Sequence, residues 1–125
     1  MYKVTANPHK NRVIVEFSDN FDYDTGEFRL ALQNAVYDAR SKEGRFDILV
    51  DWSQTITIPQ SRTDSTFETF HWCVAHGMDR SASVVKTIVQ RMQLKRVTKA
   101  VSDDDIFETR AQAETWLDQQ NLLRQ

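Results

Sequence analysis

Apolar and polar positions follow two periods along this chain. Residues 11 to 17 alternate, with Val13, Val15 and Phe17 on one face and only Ile14 interrupting the other, which predicts a strand. Residues 2 to 6 are its predicted partner. Between them Asn7-Pro8-His9-Lys10-Asn11 carries turn chemistry, because proline presets φ and asparagine tolerates left-handed backbone, so a β-hairpin is expected to open the fold. The period then lengthens. Behind the candidate caps Asp22-Tyr23-Asp24-Thr25, apolar Phe28, Ala31, Leu32, Ala35, Val36 and Ala39 recur every three or four residues, predicting a helix that ends near Gly44. Phe46, Ile48, Leu49 and Val50 follow as a short run with apolar residues on both faces, the mark of a central strand.

Asp51-Trp52-Ser53-Gln54-Thr55-Ile56-Thr57-Ile58-Pro59 is expected to leave that strand as a loop. Thr63-Asp64-Ser65 can cap a second helix, with Phe67, Phe70, His71, Val74 and Met78 on one stripe and Gly77 at its end. Residues 83 to 90 fit two templates: Val84, Val85, Ile88 and Val89 match a buried strand by composition and a helix by spacing. Their β-branched density favours the strand, with Gly77 to Ser81 as the connection into it. A short basic helix over 91 to 101, ended by Asp103-Asp104-Asp105, a last strand at Ile106-Phe107 and a closing helix on Ala113, Trp116 and Leu117 complete the order. The order β-β-α-β-α-β-α-β-α predicts one α/β domain over residues 1–125, with a mixed sheet of four or five strands. Its later strands are expected to be parallel through right-handed crossovers, with helices mostly on one face.

Composition supports this picture and narrows the function classes. With 125 residues, 40% of them apolar, and a net charge of −2, the chain is expected to be a soluble globular domain and not a disordered one. No apolar run approaches the roughly 20 residues that span a bilayer, and Met1-Tyr2-Lys3 leads straight into a predicted strand; a cytoplasmic protein without a transmembrane segment is expected. The single Cys73 fits a reducing compartment. The charge balance is not basic enough for a general nucleic-acid binder.

The opening hairpin, the strand ending Ile48-Leu49-Val50-Asp51-Trp52-Ser53, and the closing run from Asp105-Ile106-Phe107 to Trp116-Leu117 together resemble the STAS superfamily of sulfate transporters and anti-sigma factor antagonists. Within it, the likeness is to small standalone bacterial proteins similar to the sporulation anti-anti-sigma factor. The resemblance covers nearly the whole chain in element order, and its most specific part is the ending F-x-x-R-x-x-A-x-x-W-L, Phe107 to Leu117. It implies a non-catalytic regulatory or binding module that engages a protein partner or a small apolar, lipid-like ligand. The family's switch is a phosphorylated serine in an Asp-Ser-x-Gly-like motif after the third strand. Here the corresponding stretch is Ile58-Pro59-Gln60-Ser61-Arg62, without the acid or the glycine, so Ser61 is the candidate phosphate acceptor in a departed motif.

Several side chains invite chemistry of their own. His71, Cys73 and His76 are the metal-capable cluster, but His71 and His76 diverge by about 140° on a helix and no fourth ligand is at hand; no metal or other cofactor is expected. No Gly-x-Ser-x-Gly elbow or phosphate-binding glycine loop is present, so the chain is read as not an enzyme. Asp51 stands at the carboxyl end of a central strand, where open α/β sheets bind ligands, with Trp52 beside it. With Phe67 and His71 on the next helix, Asp51 and Trp52 are the candidate binding residues. Two alternatives stay open: a small enzyme with Asp51 and His71 or His76 as an acid/base pair, and an apolar stripe that is only a homodimer interface. Lys86, Arg91, Lys95, Arg96 and Lys99 form a local basic run, suited to an acidic partner or lipid headgroups when it is more than a solvated face.

Overall fold

In the computed structural model the hairpin is formed by β1 (Tyr2–Asn7) and β2 (Arg12–Ser18), antiparallel, with Val4 opposite Val15 and Ala6 opposite Val13. The structure describes residues 2–18, 26–55, 63–98 and 105–123. The turn closes through Asn11, whose φ of 53° is the left-handed conformation that asparagine tolerates. Its side-chain amide donates to the Ala39 carbonyl at 2.8 Å, tying the hairpin to the end of the first helix.

After the hairpin, helices and strands alternate: α1 (Gly26–Ala39), β3 (Phe46–Gln54), α2 (Thr63–Ala75), β4 (Met78–Val84), α3 (Ile88–Thr98), β5 (Ile106–Phe107) and α4 (Arg110–Leu123). The protein is α/β, with a five-stranded mixed sheet in the order β1-β2-β3-β4-β5; β2 to β5 are mutually parallel. Because each parallel strand is added beside the last, right-handed crossovers put α1, α2 and α3 on one face. The packing agrees. Phe28, Leu32 and Val36 of α1, Cys73 of α2 and Leu94 of α3 join Val13, Val15, Ile48 and Trp52 of the sheet in one buried cluster. The closing helix is no crossover, and it covers the other face, with Ala113 and Leu117 against Ile14, Leu49, Ala82 and Val84. β3, between these layers, is apolar on both sides.

The fourth strand is Met78–Val84, and it shares only Ser83 and Val84 with the expected span of residues 83 to 90. It begins at Met78 and pairs with β3 through Ile48 opposite Ser81 and Leu49 opposite Ala82. Ser81, expected in the connection, and Ser83, expected to open the strand, flank Ala82 at the strand centre, and Ala82 is buried where α4 approaches. Residues 88 to 90 are instead the first turn of α3. The deciding signal is a Thr-x-x-Gln capping box, Thr87 to Gln90, in which Gln90 N–H donates to Thr87 Oγ1 at 3.0 Å. α4 starts on the same sequence pattern with both limbs closed: Gln112 N–H donates to Thr109 Oγ1 (3.2 Å) and Thr109 N–H to Gln112 Oε1 (3.3 Å), whereas Gln90 Oε1 takes the Lys86 N–H instead. At the far end of the sheet, Gly77 has φ 109°, and a Cβ there would lie 1.8 Å from the Gly44 carbonyl oxygen, so only glycine lets these two loops touch.

Candidate functional site

Among the described residues of the sequence-derived site, Asp51, Trp52 and His71 do not come together. β3 continues as strand through Gln54, so Asp51 to Gln54 are not loop, and successive side chains point to opposite faces. Trp52 turns into the core under α1 to α3, its ring 4.5 Å from that of Phe17. Asp51 has the parity of Leu49 and lies on the face that α4 covers. It is half-buried, and its Oδ1 accepts the Ser53 N–H at 2.8 Å. Its register partner Glu16 accepts from Arg110 Nη1 at 2.9 Å, so this end of the α4 face holds two acids and one cation. The Phe67 side chain and the whole of Ser61 lie outside the described residues.

His71 is exposed on α2, across the sheet from Asp51, and the acid/base pair is not assembled. His76 is engaged locally: its ring stacks on Trp72 at 4.0 Å, and Nδ1 lies 2.7 Å from the Trp72 carbonyl, a contact that requires the proton on Nδ1. Burial pushes the Cys73 thiol up to about 12, leaving it protonated and unreactive at neutral pH. Among the described residues no three His, Cys, Asp or Glu side chains are grouped so as to hold a metal ion. No helix among them is long and apolar enough to cross a membrane.

Two other constellations stand out. The first lies at the amino ends of β2 and β3. Arg12 is completely buried and donates to Asp47 through Nε (2.7 Å) and Nη2 (3.2 Å), while Nη2 also reaches Asp118 of α4 at 2.9 Å. Asn121, one turn on, donates to Asp47 at 3.2 Å, and Lys10 from the hairpin turn pairs with Asp118 at 3.2 Å. Burial alone would lower the Arg12 pKa, but the hydrogen bonds and charges of Asp47 and Asp118 outweigh it and raise the guanidinium above its ordinary value. An open cavity of about 840 Å³ adjoins the cluster, walled by Lys10, Glu43, Arg45, Asp47, Asp118 and Asn121 among others. Arg12 is not in its wall, so the cluster spends its cation on joining α4 to the sheet.

The second lies at the opposite end. Gln90, also completely buried, takes the Lys86 N–H on Oε1 (2.7 Å) and reaches the carbonyls of Trp52 (3.1 Å) and Thr55 (2.7 Å) with Nε2. This amide bolts the start of α3 to the carboxyl end of β3. With Gln90 and Leu94 turned inward, the residues half a turn away face out: Ile88 is 76% exposed, Val89 55% and Met92 52%. The helix thus buries an amide and exposes its most apolar turn.

No family model, curated protein or solved structure matches the chain significantly. Its geometry therefore has to speak for itself. Sequence patterning passed over both constellations. Asp47, a lone charge inside Phe46 to Val50, was the signal for the first, and Thr87-x-x-Gln90 the signal for the second.

Proposed function

We propose that the chain is a STAS-like, non-catalytic binding module that docks through the outward face of α3. The observation that carries this reading is the inversion of α3, with Gln90 fully buried and Ile88, Val89 and Met92 exposed side by side. Single exposed aliphatics are ordinary, whereas three adjacent ones on a helix pinned to the sheet make a ready-ordered apolar patch. The element order and the five-stranded sheet, with three crossover helices on one face, support the kinship.

The reading moves the docking surface from Trp52, which is core, to the helix that Trp52's carbonyl helps to anchor. Benzoylphenylalanine placed at Val89, and separately at the exposed Leu30 of α1, tests it by photo-crosslinking in cells expressing the full chain. Adducts formed from position 89 and absent from position 30 are expected. Equal labelling from both, or no adduct to either protein or lipid from position 89, would overturn the docking role of α3, and an adduct of two copies of the chain would make the patch a homodimer interface.

A further inference from the structure

Charge is segregated along this sequence. Six of the sixteen cations (Arg80, Lys86, Arg91, Lys95, Arg96 and Lys99) lie between Asp79 and Asp103, and none of the eighteen acids does, so this stretch carries +6 and the remainder −8. α3 runs through the middle of it. At physiological salt, charges farther apart than about 8 Å are largely screened. A surface that meets α3 therefore senses the local cations more than the net −2.

The apolar and basic positions are arranged together. Ile88, Met92 and Lys95 stand at i, i+4 and i+7, one stripe of the helix, and the exposed Lys86 precedes it. This stripe is convex and purely aliphatic in its apolar part: no Phe, Tyr or Trp occurs between Trp72 and Phe107. A specific protein interface needs roughly 800 Å² on each side and is anchored mainly by Trp, Tyr and Arg in fitted pockets. Three aliphatics on a convex helix are a poor basis for that. They suit a bilayer surface, which needs no shape complementarity, accepts aliphatic side chains at the headgroup boundary and attracts each nearby Lys or Arg through its anionic lipids.

Resting on the reading of α3 as the docking face, we infer that its occupant is an anionic lipid surface, with Ile88, Val89 and Met92 entering the headgroup boundary and the described cations Lys86, Arg91 and Lys95 meeting lipid phosphates. The full chain is tested by cosedimentation with phosphatidylcholine vesicles, with and without phosphatidylglycerol. Binding to the phosphatidylglycerol vesicles is expected to be more than about 10-fold tighter and to weaken with added salt. Lys86→Gln with Lys95→Gln should reduce it about 30-fold, Ile88→Ser with Met92→Ser by at least about 10-fold, and Lys3→Gln on distant β1 should leave it unchanged. Circular dichroism identifies any variant that has lost its fold.

Equal binding to both vesicles, binding to neither, or indifference to the paired lysine change would overturn the inference. If the vesicles fail while benzoylphenylalanine at Val89 still marks a protein, the lipid assignment falls and the docking role of α3 stands. If both fail, the docking role falls with it.

Discussion

Arg12 and Gln90 are both completely inaccessible, yet the two ends of the sheet satisfy them by different means. At the amino end a cation is enclosed with a buried carboxylate, Asp47, and a half-exposed one, Asp118, each drawn from a distant part of the chain. At the carboxyl end a neutral amide uses its carbonyl and its nitrogen on backbone groups of α3 and β3. The first is a long-range electrostatic closure between sheet and terminal helix, and the second a hydrogen-bonded bolt that costs far less to desolvate. The amino end should therefore respond strongly to a lost charge and weakly to acid, and the carboxyl end to neither.

The largest effect expected is from Asp47→Ala. It leaves the Arg12 guanidinium buried with only Asp118 to balance it, and breaking a buried pair in this way costs about 3 to 5 kcal/mol, a large part of the stability of a domain this size. Urea denaturation measures the loss. The comparison is sharpened by Arg12→Met with Asp47→Leu, which removes the charge and its partner together and should recover most of it. If the single change costs under about 1 kcal/mol, the cluster is not the closure described here.

The hairpin, α1 and the closing helix were legible in the sequence because each carries one clear period and buries residues that the period selects, and the first half of the central strand because its run is apolar on both faces. Val13, Val15 and Phe17 do line the core, as do Phe28, Leu32 and Val36. The fourth strand was hidden for a physical reason. Its centre is Ser81-Ala82-Ser83, small residues chosen by the close approach of α4 and weak in strand propensity, while the β-branched pair Ile88-Val89 sits in a helix turn and faces outward. Asp51 and Trp52 were correctly placed near a strand end, but pairing them as one site overlooked that neighbours on a strand face apart. Arg12, Asp47 and Asp118 are far apart in sequence, and only the fold brings them together.

The carboxyl end gives the second and smaller expected effect. Gln90→Leu keeps the volume but strips partners from the Thr55 carbonyl and from the Lys86 N–H, while the Trp52 carbonyl keeps the Thr55 donors, for a loss of about 1 to 3 kcal/mol. The loss should be independent of pH between about 4 and 8, because no charge is involved. Hydrogen exchange should quicken at Lys86 and along the first turn of α3, leaving the Arg12 and Asp47 amides protected. Quickening at both ends alike would mean that the two closures form one cooperative unit.

The smallest effect separates the two ends by acid alone. Burial pushes the Asp118 carboxyl up, but hydrogen bonds and charges from Arg12 and Lys10 outweigh that and hold it below the ordinary carboxylate value. A carboxyl depressed on folding contributes stability that is fully present above its unfolded pKa of about 3.9 and is lost as pH falls through the lower folded value. Asp118 is 45% exposed, so solvent screens the interaction and Asp118→Asn should cost less than about 1 kcal/mol at pH 7. That difference should shrink as pH falls below about 4 and the wild-type carboxylate takes up its proton. It should shrink also with salt, by way of the surface pair with Lys10. A deficit in Asp118→Asn that persists unchanged at pH 2 would show that Asp118 holds α4 through shape and neutral hydrogen bonding, and that the ionic closure of this end rests on Asp47 alone.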